Sequence, residues 1–137
     1  MPFVTTAKVR FAHADAAGIV FYPRYFEMLN GAVEDWFEQD IGLDFKTLHL
    51  DRNLGLPTVR LEATFVAPSL LGDVLTITIT PREVGRSSCR VSIVFSCNET
   101  DRLRAEVVLV CMDLMDKRAV AWSDAVRARL EADLPAA

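Results

Sequence analysis

The chain has 137 residues, 51% hydrophobic and 25% charged, the balance of one globular domain that buries a core without covalent staples. A net charge of −4 and an isoelectric point near 5.1 argue against a nucleic-acid surface, which needs a concentrated basic face. No apolar run approaches the roughly 18–20 residues of a membrane span, and no basic segment precedes an apolar run at the N-terminus, so cytoplasmic residence without membrane association is the expectation.

Val4 to Phe11 alternates loosely and reads as a first strand. Ala12 to Phe21, with Asp15, Ala16, Ala17 and Gly18 in a row, suits neither helix nor strand. Pro23 then opens a helical period. Phe26, Leu29, Val33, Trp36 and Phe37 recur on one stripe, with Arg24, Glu27, Glu34, Asp35 and Glu38 mostly off it. Proline is favoured at a first helical position, where its missing N–H costs nothing, and Gly42 marks the end, so the helix spans about 18 residues. Leu43 to Gly55 is irregular, with a helical turn expected around Phe45 to Leu50.

Four strands follow. Val59, Leu61, Ala63 and Phe65 alternate with polar residues until Pro68, Ser69, Gly72 and Asp73 break the pattern. Thr76 to Thr80 alternates strictly and is rich in β-branched residues. A turn at Val84–Ser87 leads to a strand with Cys89, Val91, Ile93, Phe95 and Cys97 on one face. Glu99–Arg102 turns the chain into a last strand, Leu103 to Leu114, whose apolar run suggests a central place in the sheet. Ser123 is placed to cap a final helix carrying Val126, Leu130 and Leu134. The three cysteines, Cys89, Cys97 and Cys111, are odd in number and widely spaced. They predict buried thiols rather than disulfides or a zinc site.

Strands joined by tight turns imply an antiparallel sheet, and one long helix must pack on it. The expected fold is a single α+β domain over residues 1–137, with about five strands and no internal repeat. One helix leaves the other sheet face poorly covered, so an oligomer is expected.

The chemistry concentrates between Val9 and Phe37. Asp15 sits in a small-residue loop that leads through Ile19, Val20, Phe21 and Tyr22 into a helix start. Helix starts carry unpaired N–H groups and partial positive charge, which favour an anion or an oxygen that becomes one. Pro23 has no N–H, so the donors on offer are those of Tyr22, Arg24 and Tyr25. A carboxylate, an oxyanion site and apolar walls are the parts needed for acyl transfer.

This segment, Asp15-Ala16-Ala17-Gly18-Ile19-Val20-Phe21-Tyr22-Pro23-Arg24-Tyr25, resembles the 4-hydroxybenzoyl-CoA thioesterase family of hotdog-fold proteins. The Tyr-Pro-x-Tyr form looks like the aromatic-CoA branch of that family. The resemblance implies an antiparallel sheet wrapped around one long helix and dimers whose sheets join, often paired into tetramers. It also implies active sites between subunits, CoA thioester substrates, and neither a metal nor a cofactor beyond the coenzyme A of the substrate. Asp15 would act as nucleophile or general base, and the Tyr22 N–H would receive the oxyanion. Gly18, Phe21 and Tyr25 would bind substrate, with Phe21, Tyr22, Tyr25 and Phe26 placed to wall the acyl pocket. Two positions depart from the family pattern: His13 stands where an acidic residue is common, and Ala16 where proline is common. Both bear on loop stiffness and on the environment of Asp15.

Other groups read as supporting or solvated. His13 is placed to tune Asp15, to be the base itself, or to be a loop histidine; Glu34 and Asp35 lie on a helix face, and His49 in an irregular stretch. No Gly-x-Ser-x-Gly elbow surrounds any serine and no glycine-rich phosphate loop appears. Arg82, Arg86 and Arg90 cluster around one strand–strand turn. There Arg86, with the donors Ser87 and Ser88, is the candidate clamp for CoA phosphates. The expected activity is hydrolysis of an aromatic or medium acyl-CoA. Alternatives are a thioesterase acting on acyl carrier protein, a dehydratase of the same fold, and a non-catalytic acyl-CoA-binding domain.

Overall fold

The structure, a computed structural model, describes residues 2–136. Strand β1 runs Phe3–Lys8, shorter than the expected Val4–Phe11. The chain leaves the sheet because Val9 turns inward and is tied to a loop instead. Its N–H donates to the Asp73 carbonyl at 2.7 Å, and its own carbonyl accepts from Gly72 N–H at 2.9 Å. A 3-10 turn, Phe11–His13, follows. Helix α1 covers Pro23–Trp36, with proline in its first turn as read. It continues through a π-turn, Phe37–Ile41, to Gly42 at φ 85°. The left-handed glycine lets the N–H groups of Gly42 and Leu43 fold back onto the Phe37 carbonyl.

After a second π-turn, Thr47–Asp51, come β2 (Leu54–Gly55), β3 (Thr58–Phe65), β4 (Val74–Val84), β5 (Ser88–Cys97), β6 (Thr100–Val110), β7 (Met112–Asp113) and β8 (Arg118–Ala119). Helix α2, Asp124–Ala132, closes the chain, and the Ser123 hydroxyl accepts from the Val126 N–H as expected. The main sheet is antiparallel in the order β1-β4-β5-β6-β3, beside a small sheet β2-β7-β8. Among the described residues no helix is long and apolar enough to cross a membrane.

Two sequence expectations shift. The β5–β6 turn falls on Asn98 and Glu99, at φ 51° and 63°, because a two-residue hairpin demands positive φ at both positions. The last strand therefore starts at Thr100, and it ends at Val110. It lies between β5 and β3, an interior strand as expected, with β5 in the middle of the sheet. The apolar run of β6 serves two faces: Val107 and Leu109 are buried, whereas Val108 and Val110 are half-buried on the outside.

Helix α1 presents Tyr25, Met28, Leu29, Ala32, Val33 and Trp36 to the sheet. Facing them are Leu75, Ile77 and Ile79 of β4, the odd-numbered residues of β5 from Cys89 to Cys97, and Leu103, Ala105, Val107 and Leu109 of β6. The three thiols are free and buried, and burial alone pushes the Cys89 thiol up to about 12. The outer sheet face differs from the expectation that it needs a covering copy. Strict alternation puts Thr76, Thr78, Thr80, Arg82, Arg90, Ser92, Arg104 and Glu106 there. Arg82 Nε donates to Ser92 Oγ, whose hydroxyl donates to Glu106. Apolar side chains also reach this face, with Val94, Val108 and Val110 half-buried and Val4 exposed, and further exposed ones lie on edge strand β3 and at the sheet end beside Asp15.

A carboxyl pair joins the end of α1 to α2. The Trp36 indole donates to Asp133 Oδ2 at 3.1 Å, and Arg129 donates to the Asp40 carbonyl at 3.0 Å. Burial, then the neighbouring Asp133 carboxyl, raises Asp40 from 3.8 to about 6, with Trp36 and Arg129 opposing. A raised carboxyl binds its proton more tightly in the folded state, so its contribution to stability is present at low pH and lost as pH rises towards about 6. Asp133→Asn removes the charge facing Asp40. Urea unfolding measured across pH 4 to 7 should show the stability difference, variant minus wild type, growing with pH; a difference independent of pH would refute the coupling.

Candidate active site at the start of the long helix

Asp15 opens a tight hairpin. Its N–H donates to the Ile19 carbonyl at 2.9 Å, and its carbonyl accepts from Gly18 N–H at 3.0 Å. Gly18 takes φ 79°, the left-handed residue that closes a three-residue hairpin loop. Asp15 Oδ1 accepts from Ala17 N–H at 2.8 Å, which fixes the side-chain torsion, and no hydrogen bond among the described residues engages Oδ2. The carboxylate is exposed. The hairpin's second arm runs on to α1: Phe21 N–H donates to the His13 carbonyl at 2.9 Å.

At the helix start the three candidate donors separate. Arg24 N–H donates to the Phe21 carbonyl and Tyr25 N–H to the Tyr22 carbonyl. No hydrogen bond among the described residues engages the Tyr22 N–H, so of the three it is the donor left without a partner. Beside it lies a cleft of about 280 Å³ lined by Ile19, Val20, Tyr22, Tyr25, Phe65 and the 66–68 loop. Phe65 packs against Tyr22, Tyr25 and Phe26 at centroid distances of 6.1, 6.0 and 6.3 Å, the spacing of favourable aromatic pairs.

Behind the hairpin, the loop between β3 and β4 forms a shelf. Val20 N–H donates to the Ser69 carbonyl at 2.9 Å and Leu71 N–H to the Gly18 carbonyl at 3.1 Å. The half-buried Arg102–Asp73 pair, 2.8 Å apart, holds the shelf from below. Arg102 also donates to the Pro68 carbonyl, and Asp73 Oδ2 accepts from Leu70 N–H. These bonds, with Arg102, depress the Asp73 carboxyl below its ordinary value.

The other sequence candidates fall as follows. Gly18 lies in the Asp15 hairpin, its N–H bonded to the Asp15 carbonyl, whereas Phe21 pairs with His13 and is half-exposed and edge-on to Tyr22. Tyr25 is only 4% exposed and its hydroxyl donates to the fully buried Ser69 at 2.8 Å, so it is as much a core residue as a cleft wall. His13 Nδ1 accepts from Arg10 N–H, a loop-closing role, and His49 bonds the Phe45 carbonyl. Asp35 accepts from Thr5. Glu34 is exposed, on a groove between α1 and the β3 edge. Arg90 faces Glu83 and Glu106. Arg86, Ser87 and Ser88 form the β4–β5 turn, where the Arg86 side chain has no ion pair among the described residues and its backbone carbonyl accepts from Trp122 and Arg127. That turn lies at the Val84 end of β4, whereas Asp15 lies at the Val74 end, roughly 33 Å away along the strand. One chain therefore does not bring Arg86 to Asp15. Phe65, Ser69 and the Arg102–Asp73 pair went unread in the sequence, because each acts through contacts some 30 to 45 residues away along the chain.

A model of the thioesterase-like superfamily matches residues 9–130. The chain is 30% identical over 133 residues to a 1,4-dihydroxy-2-naphthoyl-CoA hydrolase of Prochlorococcus marinus, covering 91% of this chain and 86% of the relative. It is also 30% identical over 129 residues to the long-chain acyl-CoA thioesterase FadM of Escherichia coli, covering 93% and 96%. Among solved structures, a thioesterase-superfamily protein of Jannaschia sp. superposes with a TM-score of 0.91 at 24% identity, covering 98% of this chain and 94% of that one.

Gly18 tests the hairpin itself. A Cβ there would meet nothing within 4 Å, so Gly18→Ala carries only the backbone cost of a left-handed alanine, about 1–2 kcal/mol. Denaturant unfolding should show a loss of that size with an unchanged m-value; no loss would mean that the loop conformation is not as described.

Proposed function

This chain belongs to the thioesterase-like superfamily, and we propose that it hydrolyses acyl-CoA thioesters to a carboxylic acid and free coenzyme A, with Asp15 as the catalytic carboxylate. One observation carries the reading: an exposed, torsionally fixed carboxylate shares a short segment with an unspent helix-start N–H, whose residue, Tyr22, lines an aromatic cleft. In this reading the thioester carbonyl points at the Tyr22 N–H, which stabilises the oxyanion as it forms. Asp15 either attacks the carbonyl carbon, expelling the CoA thiolate and leaving a mixed anhydride that water cleaves, or takes a proton from the water that attacks directly. Both routes need the same carboxylate and the same donor.

The named relatives act on a naphthoyl-CoA and on long-chain acyl-CoA. Tyr22, Tyr25 and Phe65 around a cleft of about 280 Å³ favour a compact aromatic acyl group of the kind handled by the 4-hydroxybenzoyl-CoA branch. Asp15→Asn keeps the side-chain size and removes basicity and nucleophilicity. Thiol release from a panel of aryl and alkyl CoA esters should fall by about 10² or more in kcat, with substrate binding retained. Near-normal turnover would remove Asp15 from the mechanism.

We also propose that the working unit is a dimer or tetramer with its sites between subunits. Strand β3 is an edge with Val59 59% and Phe65 51% exposed, an unprotected edge of the kind that pairs with another chain. A two-fold pairing of β3 with its copy sets the Thr58 end of one strand beside the Phe65 end of the other. The copy's β4–β5 turn then comes to the same end of the joined sheet as Asp15. An acidic protein that binds a polyanion needs local positive charge, and Arg86 of the copy would supply it to the CoA phosphates, with Ser87 and Ser88 as further hydrogen-bond donors. Arg86→Ala should raise KM for acyl-CoA several-fold with little change in kcat, and leave a short thioester lacking the nucleotide unaffected. An unchanged KM, or a stable monomer in sedimentation equilibrium at micromolar concentration, would sink the shared site while leaving the hydrolase reading in place.

A further inference from the structure

Tyr25 carries a hydroxyl that its packing does not need. Its ring stands edge-on to Phe95 at 5.6 Å and tilted to Phe65 at 6.0 Å, contacts a phenylalanine would make equally well. The other residues on the buried stripe of α1 carry no hydroxyl. A buried hydroxyl is costly unless it is bonded, and this one donates to Ser69 Oγ at 2.8 Å across 44 residues of chain.

Ser69 is fully buried and holds both arms of the site. Its carbonyl accepts from Val20 N–H at 2.9 Å, and the next residue, Leu70, bridges Ile19. That is the return arm of the Asp15 hairpin. Its side chain meets Tyr25, whose own N–H is bonded to the Tyr22 carbonyl in the first turn of α1. The carboxylate and the helix-start donor are thus referred to one residue. The shelf that carries Ser69 is in turn pinned through Arg102: its carbonyl accepts from Val66 and Ala67, and its guanidinium reaches Pro68 and Asp73.

We propose that the Tyr25–Ser69 hydrogen bond is a positioning pair that sets the gap between the Asp15 carboxylate and the Tyr22 N–H. The proposal rests on the roles given to Asp15 and Tyr22 above. Neither Tyr25 nor Ser69 exchanges a proton with substrate; the pair acts through the backbone on each side. Such a pair governs turnover more than binding, because the transition state alone needs nucleophile and oxyanion donor in register.

The test compares wild type, Tyr25→Phe, Ser69→Ala and the double variant in acyl-CoA turnover, denaturant stability and backbone amide exchange. Tyr25→Phe should lower kcat by roughly ten- to a hundredfold, the scale of an ångström-level misplacement, with KM within about threefold. Exchange at Val20 and Leu71, the amides that bind hairpin to shelf, should quicken while that of Ile93 and Leu103 in the core stays the same. In the double variant neither polar partner is left buried alone, so stability returns towards wild type, but kcat stays low. Recovery of kcat together with stability would make the pair merely structural and overturn the proposal. So would unaltered exchange at Val20 and Leu71 in Tyr25→Phe. If the wild-type protein releases thiol from no acyl-CoA, the hydrolase reading fails, and the exchange arm alone decides whether the bond holds hairpin to helix.

Discussion

The apolar stripe of α1 sinks into the concave inner face of the main sheet, and the position of every functional group follows from where that helix comes to rest. Tyr25, Met28, Leu29, Ala32, Val33 and Trp36 meet the inward residues of β4, β5 and β6. Fully burying a large apolar side chain stabilises by about 1.5–3 kcal/mol, whereas a typical hydrogen bond contributes about 1 kcal/mol net. The core therefore fixes the helix axis and its rotation, and the polar contacts adjust what hangs from its ends. With the axis set, the first turn of α1 lies at the sheet end near Phe65 and Phe95, and Pro23 holds it there without an N–H to satisfy.

At that end the polar contacts converge on one loop. The segment between β3 and β4 receives the Asp15 hairpin on its backbone, the helix through Ser69, and the sheet through Arg102 and Asp73. This convergence explains how a carboxylate on an exposed, glycine-containing hairpin keeps a defined direction. Its own turn bond to Ala17 sets the side chain, and the bridge between Ile19 and Leu70 sets the hairpin.

The two faces of the sheet divide the labour of solubility and assembly. The outer face mixes threonines and the Arg82–Ser92–Glu106 network with the half-buried Val94, Val108 and Val110, so much of it presents water with groups that water accepts. Apolar exposure gathers on β3, an edge with unpaired backbone groups, and around Phe11, Phe21, Leu70 and Leu71 at the Asp15 end. Isolated exposed apolar residues are ordinary, but a cluster beside an open edge and the exposed Asp15 carboxylate is the pattern of an interaction surface.

Local pattern alone determined the element types, since periodicity and breakers report on side chains close in sequence. The helix from Pro23 to the Gly42 cap, the alternating faces of β3, β4 and β5, the Ser123 cap and the loop character of Asp15–Gly18 were all legible there. So was Asp15 as a candidate, because the small-residue loop and the helix start lie within one short segment. Strand order was only partly legible: the apolar run of β6 suggested an interior strand, which it is, but which strands flank it was set by pairing with β5 and β3. The Asn98–Glu99 turn was displaced because its positive φ angles override the composition of the neighbouring residues. Which helix-start N–H remains unspent was settled only by the hydrogen bonds that Arg24 and Tyr25 make. The separation of Arg86 from Asp15 depended on the direction of β4, and the bond between Tyr25 and Ser69 spans 44 residues. Contacts between residues so far apart leave no local trace, so only the tertiary structure decided them.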